Sequence, residues 1–166
     1  MMHKNSSALN LGGTGCCASF NFRRTARAVT RLFDLALQEC GIRSTQFAIL
    51  VGIAKEQPIS IGGLAELLII DNTTLTRSLR LLKKEGLIAI SNRAAKRQRF
   101  LTITAEGEQA LARSLPAWRA AQEKFVATIG ADYWGELRSE LERVAHAAVE
   151  LEKPSKNAPA LSRTTA

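Results

Sequence analysis

The stretch 71–104, DNTTLTRSLRLLKKEGLIAISNRAAKRQRFLTIT, decides how this chain is read. Asp71 is a strong helix N-cap, because its carboxylate accepts the unpaired amides of a first turn. Leu75, Leu79, Leu82 and Leu87 then recur at helical spacing and predict a helix with one buried stripe. The opposite face carries Asn72, Thr73, Thr76, Arg77, Arg80, Lys83 and Lys84, small hydrogen-bonding groups first and cations later. Gly86 ends the helix. Two short runs with β-branched residues, 87–91 and 100–104, follow it, joined by the cationic loop NRAAKRQR.

A polar helix followed by a basic-tipped hairpin is the order of elements in a winged helix-turn-helix. In that arrangement the helix reads base edges and the hairpin tip holds phosphates or enters a minor groove. The charge supports this reading. Residues 77–99 hold eight Lys or Arg and one acid, Glu85, a net +7 (8 − 1) within a chain of net +8. The remainder is close to neutral, so the basic excess is focused. A focused basic patch raises the local concentration of a polyanion and speeds its capture. A solvated helix face beside a mobile loop is the plainer reading of the cations, and the adjoining basic wing argues against it.

Working outward, Ser60 caps a short helix, IGGLAELL, whose turn at Ile69 and Ile70 leads into Asp71 and completes a helix-turn-helix pair. Upstream, Ser44 or Thr45 caps a helix, TQFAILVGIAK, that stops before Pro58, and Ile59 adds a very short strand. A first helix spans about 17–40, with Phe22, Ala26, Val29, Phe33, Ala36 and Cys40 on one stripe, and Gly41 ends it. Downstream, Thr104 caps a long helix with Leu111, Leu115, Trp118 and Phe125 on one side. Pro116 within it should kink or split the helix. Gly130 breaks the chain, and Asp132 caps a last helix with Leu137, Leu141, Val144, Ala148 and Leu151 on one stripe.

The expected architecture is mainly α with a small β-hairpin wing: a winged helix-turn-helix with N- and C-terminal dimerisation helices. Residues 1–15 are polar and Gly-rich and read as a mobile segment. Residues 16–152 form the domain, with a DNA-binding core at about 44–104 and dimerisation helices at about 17–40 and 105–152. Residues 153–166 read as a disordered tail. The narrow stripes of the terminal helices bury most naturally against a second copy, through Phe22, Val29, Leu137, Leu141, Val144 and Ala148. Two-fold symmetry would set two recognition helices one DNA turn apart, about 34–36 Å.

At 166 residues, with 46% apolar and 23% charged residues, the chain has ordinary globular composition. No apolar run approaches the roughly 20 residues that span a bilayer, and LGGTGCC lacks the apolar core of an export signal. Three cysteines at irregular spacing do not make a disulfide scaffold. The expectation is a cytoplasmic protein without membrane contact and without a cofactor.

The ordered set of elements in residues 20–152 resembles the MarR family of bacterial transcription regulators. GLAELLIIDNTTLTRSLRLLKKEGLI is similar to the family's helix-turn-helix, and AAKRQRFLTITAEG to its wing and the start of its next helix. Thr74, Thr76 and Arg77 fall where relatives contact bases and backbone, and Lys96 and Arg97 match the basic pair near the wing tip. Ala95 departs from the pattern, standing where many members have an Asp that pairs with a nearby arginine. The resemblance implies a winged-helix homodimer on double-stranded DNA with a pseudo-palindromic operator, usually a repressor. It also implies release by small aromatic or phenolic effectors held between the dimerisation helices and the DNA-binding module. The expected DNA-contacting residues are Asn72, Thr73, Thr74, Thr76, Arg77, Arg80, Lys96, Arg97 and Arg99.

An effector crevice is expected at Phe22, Phe33, Phe47 and Trp118, with Arg23 or Arg27 for a carboxylate; the same aromatics would equally serve as a dimer core. A redox switch is the alternative. Cys16 and Cys17 lie near Arg23 and Arg24 at a possible helix N-terminus, a setting that lowers thiol pKa. The family's organic-hydroperoxide sensors carry their reactive Cys where Ser19 stands, and two tyrosines where Phe33 and Phe47 stand; the only tyrosine here is Tyr133. Cys40 reads as a core residue. His3 and His146, the only histidines, make no metal-ligand cluster, so no metal is expected. No phosphate loop, HExxH motif or Ser elbow is present, so no catalytic residue is assigned and the chain is not expected to be an enzyme. A less specific nucleic-acid-binding protein is the remaining alternative; RNA readers usually present stacking aromatics, and this basic face has only Phe100.

Overall fold

The computed structural model describes residues 14–93 and 98–152. After a single 3-10 turn, Thr14–Cys16, come helices α1 (Ala18–Leu37) and α2 (Ser44–Glu56), strand β1 (Ile59–Ser60), and helices α3 (Ile61–Leu68) and α4 (Asn72–Lys84). Strands β2 (Ile88–Arg93) and β3 (Gln98–Ile103) follow, then helices α5 (Ala105–Ile129) and α6 (Ala131–Glu152). This is the winged helix-turn-helix order, mostly helical with a small antiparallel sheet of strand order β1-β3-β2. The chain forms two compact units, one ending at Ala121 and one starting at Gln122. No helix among the described residues is long and apolar enough to cross a membrane.

The core of the first unit explains why α4 sits as it does. Leu75, Leu79 and Leu82, all at most 2% exposed, drive one face of α4 onto Leu50 and Ile53 of α2 and Leu64 of α3 within one apolar cluster. Leu101 of β3 is fully buried and pairs with Ile59 on one side and Ile90 on the other, so the sheet presses its centre into the same cluster. Asp71 Oδ1 accepts the Thr74 amide at 2.8 Å and starts α4. Ser60 Oγ accepts Gly63 N at 3.0 Å and starts α3. Thr104 does two things: its hydroxyl donates to Gly86 O at 2.6 Å and accepts Gly107 N at 3.1 Å, tying the end of the α4 turn to the start of α5.

Several local expectations need correction. Ser44 is the first residue of α2, not its cap. Its amide and hydroxyl both donate to Asp34 Oδ1, at 2.8 and 2.7 Å, while Gln46 Oε1 accepts the Arg43 amide at the true cap. Asp132 likewise lies inside the first turn of α6, whose opening bond runs from Trp134 N to Gly130 O; there its charge still suits the helix dipole. Pro116 does not split α5, which runs on unbroken. Ala112, whose carbonyl loses its partner to Pro116, is exposed, so water can satisfy it, and the buried residues Ala110, Leu111 and Ser114 hold the helix in place. Cys40 is half-buried, not core. Residues Gln38–Cys40 form a 3-10 turn that rotates the stripe, leaving Leu37 as the fully buried residue and the Cys40 thiol 3.7 Å from Arg113 O. The basic loop is also shorter than 92–99, since the strands reach Arg93 and resume at Gln98 in paired register.

Candidate nucleic-acid interface

The exposed face of α4 follows from its buried one. With the three leucines inward, Asn72, Thr73, Thr74, Arg77 and Arg80 are exposed and line one groove of about 610 Å³ together with Thr76. A second concavity of about 330 Å³ adjoins it, lined by Ser60, Ile61, Gly62, Asn72, Thr76, Gln98 and Arg99. Asn72 and Thr76 belong to both, so one continuous depression runs from the front of α4, past the start of α3, to the outer end of β3. No carboxylate lines either part, while Arg77, Arg80 and Arg99 do. Polar neutral groups along the floor with cations at the edges suit base edges and phosphates respectively.

The residues differ in what they have left to offer. Thr76 is half-buried, not on the open face, and its hydroxyl already donates to Asn72 O at 2.6 Å. It retains lone pairs and a methyl group, so it can accept a base donor or touch a thymine methyl but has no proton to give. Arg77 and Arg80 make no ion pair among the described residues, and their guanidinium forks stay available. Asp71 beside them is spent on the cap: its bonds from Thr74, side chain first and backbone next, hold its carboxyl below the usual carboxylate range. Lys96 and Arg97, expected at the wing tip, lie outside the described residues with Ala95. So do His3, residues 1–13 and the tail 153–166. Ser60, Ile61, Gly62 and Gln98 line this depression without having been among the expected contact residues. The cap at Ser60 was legible, but its nearness to β3 depends on the β1–β3 pairing, which two strand residues cannot announce.

Of the four aromatic residues expected to line a crevice, three share a cavity. Phe33, Phe47 and Trp118 surround one cavity of about 510 Å³, where Phe47 and Trp118 stack at 5.7 Å between ring centroids and 20° between planes. Phe22 and Arg23 are not there. Phe22 is on the same helix eleven residues before Phe33, about 16 Å along its axis, and is 44% exposed. Val29, Val51, Leu67 and Leu68 complete the apolar wall, and Lys55 of α2 is the cation that lines it. Cys16 and Cys17 are exposed at the approach to α1.

Comparison with known proteins agrees with this geometry. The MarR family model matches residues 42–93, from the turn before α2 through β2. The transcriptional regulator HosA of Escherichia coli is 33% identical over 88 residues, 52% of this chain; the aligned part spans about 65% of HosA's own length. Among solved structures, the M. tuberculosis transcriptional regulator MosR in complex with DNA superposes with a TM-score of 0.75 at 31% identity, covering 82% of this chain and 98% of MosR. A second crystal structure of the same regulator gives 0.71 at 29% identity, covering 81% and 96%. The chain belongs to the MarR family of transcriptional regulators.

Proposed function

We propose that this chain binds double-stranded DNA site-specifically as a homodimer and represses transcription until a small ligand releases it. The observation that carries the reading is the carboxylate-free depression joining α4 to β3, edged by Arg77, Arg80 and Arg99. Homodimerisation draws support from uncovered apolar side chains on both terminal helices: Phe22 on α1, and Leu141 and Val144 on α6, are 44%, 39% and 41% exposed. Apolar surface left uncovered on a helix face is what a second copy would bury.

The effector reading rests on the α1–α2 cavity. Its volume is within the few hundred Å³ typical of small-molecule sites, its walls are apolar, and Lys55 supplies one cation. A planar aromatic acid fits that chemistry. A thiol switch is the second reading, supported by the exposure of both Cys16 and Cys17. Footprinting on the DNA upstream of the chain's own coding sequence tests the main proposal. A protected, roughly two-fold-symmetric site supports it, and uniform binding to any duplex defeats it. On that site, release by aromatic acids but not by peroxide favours the cavity. Release by peroxide that Cys16→Ser or Cys17→Ser abolishes favours the thiols.

A further inference from the structure

A cavity of about 630 Å³ is bounded by the end of α1, the start of α2 and the flank of α4 that carries Ser78 and Leu81. Its walls all belong to the first compact unit. It shares no lining residue with the cavity around Phe47 and Trp118, nor with the depression that runs from α4 to β3. Two guanidinium groups, Arg31 and Arg43, and two carboxylates, Asp34 and Glu85, line it, so these four side chains sum to zero charge (2 − 2). None of the four comes within ion-pair distance of another.

Hydrogen bonds hold the acidic side in place. Asp34 Oδ1 accepts both the Ser44 amide and its hydroxyl. Glu85 Oε2 accepts Gln46 Nε2 at 3.2 Å, and the buried Gln46 is held in turn by accepting the Arg43 amide at 2.9 Å. Each carboxylate is thus fixed through one oxygen, and a carboxylate has a second oxygen with which to accept a donor. Between the charged groups the wall is apolar: Ile42 is buried, while Leu35 and Leu81 are 64% and 47% exposed.

We infer that this cavity binds an α-amino acid with an apolar side chain. Its carboxylate lies on Arg31 and Arg43, its ammonium on Asp34 and Glu85, and its side chain against Leu35 and Leu81. Sign decides the class of ligand. An anion alone would face two fixed carboxylates, and a cation alone would face two arginines. A zwitterion meets both pairs and leaves no net charge in the cavity. The guanidinium fork matches a planar carboxylate, and the apolar wall between the charges suits a hydrocarbon body. The inference goes beyond the DNA and effector readings, because the binding it describes is measured on the free chain.

The test is calorimetry and amide NMR on the full chain with three probes of one shape. They are L-leucine, L-leucinamide, which lacks the carboxylate, and 4-methylpentanoate, which lacks the ammonium. L-Leucine should bind with a dissociation constant of about 1 mM or less, and about tenfold or more tightly than either singly charged probe. It should move the amides of Leu35, Gly41 and Leu81. Arg31→Gln/Arg43→Gln should weaken L-leucine by about tenfold and leave L-leucinamide unchanged. Asp34→Asn/Glu85→Gln, which keeps an acceptor oxygen for Ser44 and Gln46, should weaken L-leucine likewise and not weaken 4-methylpentanoate. A folding defect would not sort the probes by charge in this way. Equal binding of all three probes, no binding of L-leucine, or shifts confined to residues around Phe33 and Trp118 would overturn the inference. An arginine variant that binds L-leucine like the wild type but loses duplex affinity would assign the two arginines to phosphates, and overturn it too. If circular dichroism shows that a variant has lost helix, the ranking of the three probes on the wild type decides alone.

Discussion

Single side chains on the interface are expected to separate sequence reading from backbone holding. Arg77 leaves the middle of α4's open face with a free guanidinium fork, the geometry that pairs bidentately with guanine for roughly 1–3 kcal/mol of discrimination. Arg99 lines the other end of the depression, beside Gln98 on β3, where phosphate is the natural partner. Arg77→Ala should therefore narrow the gap between a preferred duplex and a scrambled one. Arg99→Ala should weaken both alike and, with one phosphate no longer neutralised, lower the salt slope by about 0.9. Titrations of both variants at several salt concentrations decide it, and equal effects of the two on both duplexes would contradict the assignment. A different residue-scale constraint lies at Gly107. A Cβ added there would overlap Leu87 O and come within 2.7 Å of Ile103 Cγ1. The first of these is backbone and cannot step aside. Gly107→Ala should cost about 1–3 kcal/mol, visible as a lower midpoint in urea with an unchanged slope.

At the scale of one element, α4 depends on its first turn. The bonds that start it lower the Asp71 pKa, led by the Thr74 side chain. A carboxylate whose folded pKa lies below its unfolded value stabilises the fold fully above the unfolded pKa. That contribution is lost as pH falls through the folded pKa. Acidification below the usual carboxylate range should thus loosen the start of the recognition helix, and Asp71→Asn, which keeps a capping oxygen, should remove this pH dependence. Amide exchange at Thr73 and Thr74 across that range is the measurement. Protection at those amides that falls with acid equally in wild type and Asp71→Asn would refute the cap as the cause.

For the whole molecule, the uncovered stripes make the strongest demand. Leu141 and Val144 are exposed in the single chain, so replacing both with Asp costs the chain itself little. In an apolar interface the same change would bury unpaired charge. The expected outcome is a folded monomer, seen as wild-type helix content with half the sedimentation mass. A Leu141→Asp/Val144→Asp protein that remains dimeric would show that α6 contributes no interface.

How much of this could be read before folding depends on the range of the forces involved. Short-range physics was legible: the caps at Ser60, Asp71 and Thr104, the leucine stripe of α4, the stop at Gly86 and the β-branched strands are each set by residues within a few positions. The face of α4 turned outward followed from that stripe alone, and with it Asn72, Thr73, Thr74, Arg77 and Arg80. What packing across the fold decides was not legible. The turn into α4 holds Ile69 at φ 50, a left-handed conformation that a β-branched residue resists and that local propensity argues against. Thr76 turned half inward, Pro116 stayed inside an unbroken helix, and Lys55, not Arg23, came to the cavity beside Phe33 and Trp118. Ser60, Gly62 and Gln98 line the same depression as Asn72 and Thr76 only because β1 pairs with β3. Periodicity tells a residue which side of its own helix it occupies, and only tertiary contact tells it what stands opposite.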